Sequence, residues 1–163
     1  MILGLSLPTF TLIHVLLSVV GIGTGLVVME RLLRNRVLGL TNTIFLGATI
    51  LTSATGFLFP GKPFGPPHLI GVISLAILAI AVVALYFGNL IGAWRWIYVV
   101  TAVMALYFNV FVGIVQAFQK IGPLQLLAPT QSEPPFAIVQ AAVLLLFVVL
   151  CIIALRRFRP TAL

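Results

Sequence analysis

Long apolar runs alternate along this chain with short clusters of charge, proline and glycine. The first run, Pro8 to Met29, closes on Glu30-Arg31-Leu32-Leu33-Arg34-Asn35-Arg36. At about 1.5 Å of rise per residue it is long enough to cross the hydrocarbon core of a bilayer. A second run, Val37 to Phe59, stops at Pro60-Gly61-Lys62-Pro63-Phe64-Gly65-Pro66-Pro67, where helix continuation is blocked. From His68 to Phe118 the chain is almost unbroken apolar sequence, roughly twice the length of one span, so it must reverse once. Gly88, Asn89 and Gly92 supply the turn, and Trp94, Arg95, Trp96 and Tyr98 the amphipathic girdle expected at a membrane interface. The last run, Phe136 to Leu155, ends at Arg156-Arg157-Phe158-Arg159. The pattern predicts an all-α integral membrane bundle of five transmembrane helices over 8–29, 37–59, 68–88, 94–118 and 136–155. All of 1–163 then forms a single domain, and no convincing internal repeat is seen.

Composition supports the membrane and removes other classes. Of 163 residues, 62% are hydrophobic and 7% charged, with a mean hydropathy of +1.28, which excludes a water-soluble fold. The net charge of +7 comes from residues flanking apolar spans, where it sets orientation and meets anionic headgroups, so no nucleic-acid partner is implied. Arg31, Arg34, Arg36, Arg95, Arg156, Arg157 and Arg159 fall on one side of the predicted bundle, and Lys62 and Lys120 on the other. The positive-inside rule puts the arginine side in the cytoplasm, with the N-terminus outside and the C-terminus cytoplasmic. Met1 to Ile13 carries no Lys or Arg, so the first apolar run is expected to be retained rather than cleaved as a signal peptide. Cys151 lies within an apolar run and reads as a packing residue.

The longest connection, Gln119 to Pro135, is expected outside. Leu124, Leu126 and Leu127 would be poorly placed in free solvent, which suggests a lid lying on the membrane surface over the outer mouth. At Ala128-Pro129-Thr130-Gln131-Ser132-Glu133-Pro134-Pro135-Phe136 the chain resembles an uncharacterised group of small multi-spanning bacterial inner-membrane proteins. The resemblance implies a bacterial inner (cytoplasmic) membrane and carries over no activity and no catalytic residue.

Polar side chains inside a bilayer cost free energy unless paired, so their depth is informative. His14, Ser18, Gly21 and Gly25 share one face of the first span, and His68 opens the third. Thr49, Thr52, Ser53 and Gly56 lie on the second, Asn109 and Gln116 on one stripe of the fourth, and Gln140 near the outer end of the fifth. One reading is an outer-half pocket lined by His14, His68, Asn109, Gln116 and Gln140, with Glu133 above it. His14 and His68 are its candidate metal ligands, and His14 is expected to meet Asn109 and Gln116. The other reading is that small and hydroxyl residues let helices approach while amides hydrogen-bond across them, with His68 solvated at an interface and Glu133 serving a helix start. The cytoplasmic half is expected to hold almost nothing comparable.

Only two carboxylates occur, Glu30 and Glu133, on opposite sides, so a paired general acid and base is missing. The absence of an acidic residue in the interior weighs against ion pumps, and no CxxC, HExxH, Walker or nucleophile-elbow motif is present. The residues assign no reaction. They leave a ligand- or cofactor-binding membrane protein (haem, metal ion or quinone), a non-catalytic subunit or assembly factor bound to other membrane-complex subunits, and a carrier or channel for a small neutral or lipidic solute.

Overall fold

The computed structural model describes residues 2–60 and 65–159; Met1, Lys62 with the rest of 61–64, and the terminal 160–163 lie outside the described residues. These residues form six helices: α1 Leu7–Leu33, α2 Gly39–Gly56, α3 Pro66–Tyr86, α4 Ala93–Lys120, α5 Gly122–Leu127 and α6 Pro134–Arg157. The starts follow from local chemistry. Ser6 caps α1 by accepting the Thr9 N–H at 3.3 Å, and prolines occupy the first turns of α1, α3 and α6, where their missing N–H is not needed. At the end of α1, Asn35 adopts a left-handed φ of 52°. The Arg36 N–H then reaches the Arg31 carbonyl and the Asn35 N–H the Leu32 carbonyl, which stops the helix.

Four of the helices, α1, α3, α4 and α6, are long and apolar enough to cross a membrane. The helix α2 differs. It has 18 residues, its helical part ends at Gly56 rather than Phe59, and it carries Asn42 and a series of threonines. Those threonines satisfy themselves within the helix: Thr49, Thr52 and Thr55 hydroxyls donate to the carbonyls of Phe45, Ala48 and Leu51.

The helices run up and down in a register fixed by paired residues. Antiparallel to α1, α2 has Arg31 at the Val37 and Leu38 carbonyls at one end and His14 against Thr55 at the other. Tyr86 of α3 meets Thr43, whereas Gly71 faces Phe57, so α3 reverses again. Between α4 and α6, Arg95 bonds the Leu155 and Phe158 carbonyls and Gln140 bonds the Phe111 carbonyl. This register gathers all seven arginines at one end, as the charge pattern implies.

Helix contact within an apolar solvent depends on close fit and hydrogen bonds more than on water exclusion. Gly21 and Gly25 provide the fit for α1. A Cβ on Gly25 would lie 2.5 Å from a Leu106 methyl and 2.9 Å from the Phe45 ring, and one on Gly21 would lie 2.8 Å from Asn109 Nδ2. The core beside them is Phe45, Leu78, Ala81, Val99, Ala105 and Leu106, all nearly inaccessible. Outward-facing leucines, valines and isoleucines cover most of α1 and α6.

Candidate functional site

The polar residues toward the end of the bundle opposite the arginines fall into separate pairs. His14 Nδ1 lies 2.8 Å from Thr55 Oγ1, with its ring edge-on to Phe59. Ser18 donates to Asn109 Oδ1 at 2.8 Å, tying α1 to α4. Gln140 donates to the Phe111 carbonyl at 3.3 Å. His68 packs edge-on against Phe57. Three buried atoms among these groups, His68 Nδ1, Asn109 Nδ2 and Gln140 Oε1, have no hydrogen-bond partner among the described residues.

His14 therefore bonds to α2, and Asn109 meets Ser18 instead of His14. Gln116 is exposed and makes no hydrogen bond among the described residues. No group of three His, Cys, Asp or Glu side chains converges among the described residues. The imidazoles of His14 and His68 have different aromatic neighbours, Phe59 and Phe57.

Glu133 organises its own loop. It precedes α6, and its carboxylate accepts from the Thr130 N–H and hydroxyl at 3.1 and 2.9 Å and from the Ser132 N–H at 3.1 Å. Desolvation pushes its pKa up more than any one hydrogen bond pushes it down, but these donors and its own N–H together outweigh it and hold the carboxyl below its ordinary value. The segment 119–135, expected as a lid, contains the short helix α5, which packs chiefly on the end of α4. Leu124 is half-buried, while Leu126 and Leu127 are exposed. An apolar side of a one-and-a-half-turn helix beside α4 suits an interfacial position.

The opposite end holds what the sequence reading left empty. Tyr98, expected in the interfacial girdle with the exposed Trp94 and Trp96, is fully buried, and its hydroxyl donates to Asn42 Oδ1. The reason is helical register: Tyr98 continues the inward stripe of Ala102, Ala105 and Asn109. Above this pair is a cavity of about 370 Å³ where the α1–α2 connection, the α3–α4 turn and the chain after α6 meet. Asn35, Arg36, Thr43, Tyr86, Asn89 and Arg159 supply polar lining. Leu85, Leu90 and Phe158 supply apolar lining, and Asn42 and the start of α2 also line it.

Several contacts join the segments around this cavity. Asn35 Oδ1 accepts the Arg159 N–H at 2.7 Å, linking residues 124 positions apart. Arg95 holds the end of α6 through the Phe158 carbonyl, and Arg31 holds the carbonyls before α2. Asn35, Asn89 and Leu90 all have left-handed backbone, a conformation that asparagine tolerates and that costs leucine about 1–2 kcal/mol. A sequence signal existed for part of this, in the Asn-rich and Gly-rich connections, but the convergence of three of them did not. Comparison with family models, curated proteins and solved structures gives no match to the chain.

Proposed function

We propose that the protein is a five-span bacterial inner-membrane protein, N-terminus outside and C-terminus in the cytoplasm, that binds a small polar ligand in the cavity at its arginine end. The membrane assignment begins from the four long apolar helices. The fifth span is α2: 18 residues at about 1.5 Å each give roughly 27 Å, and its pairing with α1 from Arg31 to His14 follows α1 through most of its length. Asn42 and Thr49 are buried within the bundle, which permits so polar a helix at membrane depth. The orientation rests on the arginines gathered at one end, and the bacterial inner membrane on the resemblance at Ala128–Phe136.

The observation that carries the binding reading is the cavity itself, a concave space lined by both polar and apolar residues. The outer-half residues support a structural role better, because His14, Ser18, Asn109 and Gln140 each bond to a neighbouring helix. Native mass spectrometry of protein extracted in mild detergent tests the proposal. A retained small molecule should be present in the parent and lost in Thr43→Phe, whose ring would occupy the cavity mouth. Identical bound species in both would remove the binding assignment.

A further inference from the structure

The chemistry of the cavity lining points to the class of ligand, given the binding site proposed above. Two arginines, Arg36 and Arg159, are among the residues that line it, and no Asp or Glu is. Glu30, the acidic residue at this end, is engaged with Arg34 at 2.8 Å and lies 3.9 Å from Arg36. The Arg159 side chain has no hydrogen-bond or ion-pair partner among the described residues. Arg36 is thus partly paired with Glu30, and the lining keeps an excess of positive charge carried chiefly by Arg159.

The uncharged groups have the same bias toward donation. Asn35 has its oxygen occupied by the Arg159 backbone N–H, which leaves its amide NH2. Asn42 is 1% exposed, its oxygen is occupied by the Tyr98 hydroxyl, and its Nδ2 has no acceptor among the described residues. Asn42 lines the cavity, so this amide is a free donor there rather than one sealed inside the bundle. The first turn of α2 adds to it. Gly39 lines the cavity, and no side chain caps the N–H groups that begin this helix. Arginines, amide donors and a helix start facing one cavity form an acceptor-seeking site, the arrangement that binds phosphate oxygens.

We propose that the cavity binds a phosphate ester, with the phosphate between Arg36, Arg159, Asn42 and the start of α2 and its organic part on Leu85, Leu90 and Phe158. The cavity of about 370 Å³ has room for more than an inorganic ion, and its apolar lining suits a carbon-bearing substituent. The same chemistry is offered by the headgroup of an anionic phospholipid in the adjoining leaflet and by a soluble phosphomonoester.

The test uses the full chain in detergent, with dissociation constants measured by native mass spectrometry for phosphatidylglycerol, phosphatidylcholine and glycerol 3-phosphate. At least one of the two anionic probes should bind more tightly than phosphatidylcholine. Arg36→Gln and Arg159→Gln should each weaken that binding about tenfold, the scale of losing one charge-assisted contact, and Thr43→Phe should abolish it. Preference for phosphatidylglycerol identifies a lipid headgroup, and preference for glycerol 3-phosphate a soluble ester. Circular dichroism confirms that each variant keeps its helices. Anionic binding that matches phosphatidylcholine, or that survives both arginine changes, overturns the phosphate assignment. If a neutral probe is still displaced by Thr43→Phe, the cavity remains a binding site for another class. If Thr43→Phe alters no probe, the binding reading falls as well.

Discussion

The Tyr98 hydroxyl donates to Asn42 Oδ1 inside the bundle, joining α4 to α2 directly beneath the arginine-end cavity. Both side chains are almost inaccessible, so each depends on the other for satisfaction. Tyr98→Phe removes the donor while keeping the ring, and should cost about 1–3 kcal/mol, the range for a buried acceptor left unpaired. Adding Asn42→Leu to Tyr98→Phe should recover part of that loss, because both polar partners are then gone. Thermal unfolding of the two single variants and the double variant in one detergent measures the coupling. Simple additivity would show that the two residues do not act as a pair.

Spans were legible in the sequence where length and apolarity decide the outcome, as in α1 from Leu7 and α6 from Pro134. Rotation about each helix axis was less legible, because nearly every face of α3 or α6 is apolar and no periodic polar stripe marks the inner one. On α4, Tyr98 reads as interfacial because it neighbours Trp94, Arg95 and Trp96 in sequence, whereas helical register carries it to the inward side with Ala102 and Ala105. The partner of His14 was also hidden: Thr55 bonds the Leu51 carbonyl, as many helical threonines do, and its proximity to α1 depends on the α1–α2 register. The cavity unites Asn35, Asn89 and Arg159, which are far apart in the chain and meet only after the helices pack.

The small-residue face of α1 makes a contrast available within one helix. Gly25 has no space for a side chain, whereas Gly23 has nothing within 4 Å of an added Cβ. Gly25→Leu should destabilise the bundle by about 1–3 kcal/mol through overpacking against Leu106 and Phe45. Gly23→Ala should be neutral or slightly stabilising, since only the helix preference for alanine operates there. Unfolding midpoints of the two variants that coincide would contradict the close approach of α1 to α2 and α4.

The Glu133 loop should respond to acid. The folded carboxyl sits below its ordinary value, so its contribution is complete above the ordinary carboxylate range and disappears as pH falls through the folded value. The Thr130 and Ser132 amide resonances, whose N–H groups bond this carboxylate, should titrate with a midpoint below that of an unperturbed glutamate. Glu133→Gln should eliminate that titration. A midpoint at or above the unperturbed value would mean that the carboxylate is not held by these donors.

The two ends of the molecule should also separate functionally. His14→Leu removes the Thr55 contact at the end of the bundle opposite the cavity. It should lower the unfolding midpoint while leaving binding in the cavity unchanged, whereas Thr43→Phe should abolish that binding. Loss of bound ligand in His14→Leu, measured by the same mass-spectrometric assay, would return the binding site to the outer half.

The number of crossings is decided by α2, because it is the shortest and most polar of the helices proposed to span. If it crosses, the connection at Asn35 and the turn at Pro60 lie on opposite sides of the membrane. If it enters and returns, or lies within the bundle without reaching the other surface, they do not. A background of Cys151→Ser removes the native thiol, and single cysteines can then be introduced as Asn35→Cys and Pro60→Cys. Both positions are exposed, so a membrane-impermeant thiol reagent should reach whichever faces the outside. Added to intact cells, it should label Pro60→Cys and spare Asn35→Cys; after disruption it should label both. A reporter fused after Leu163 should in turn be active in the cytoplasm, since the arginines of α6 share the Asn35 end. Labelling of both cysteines from outside would reduce the crossings to four, and an inverted pattern would reverse the orientation and expose the arginine-end cavity to the exterior.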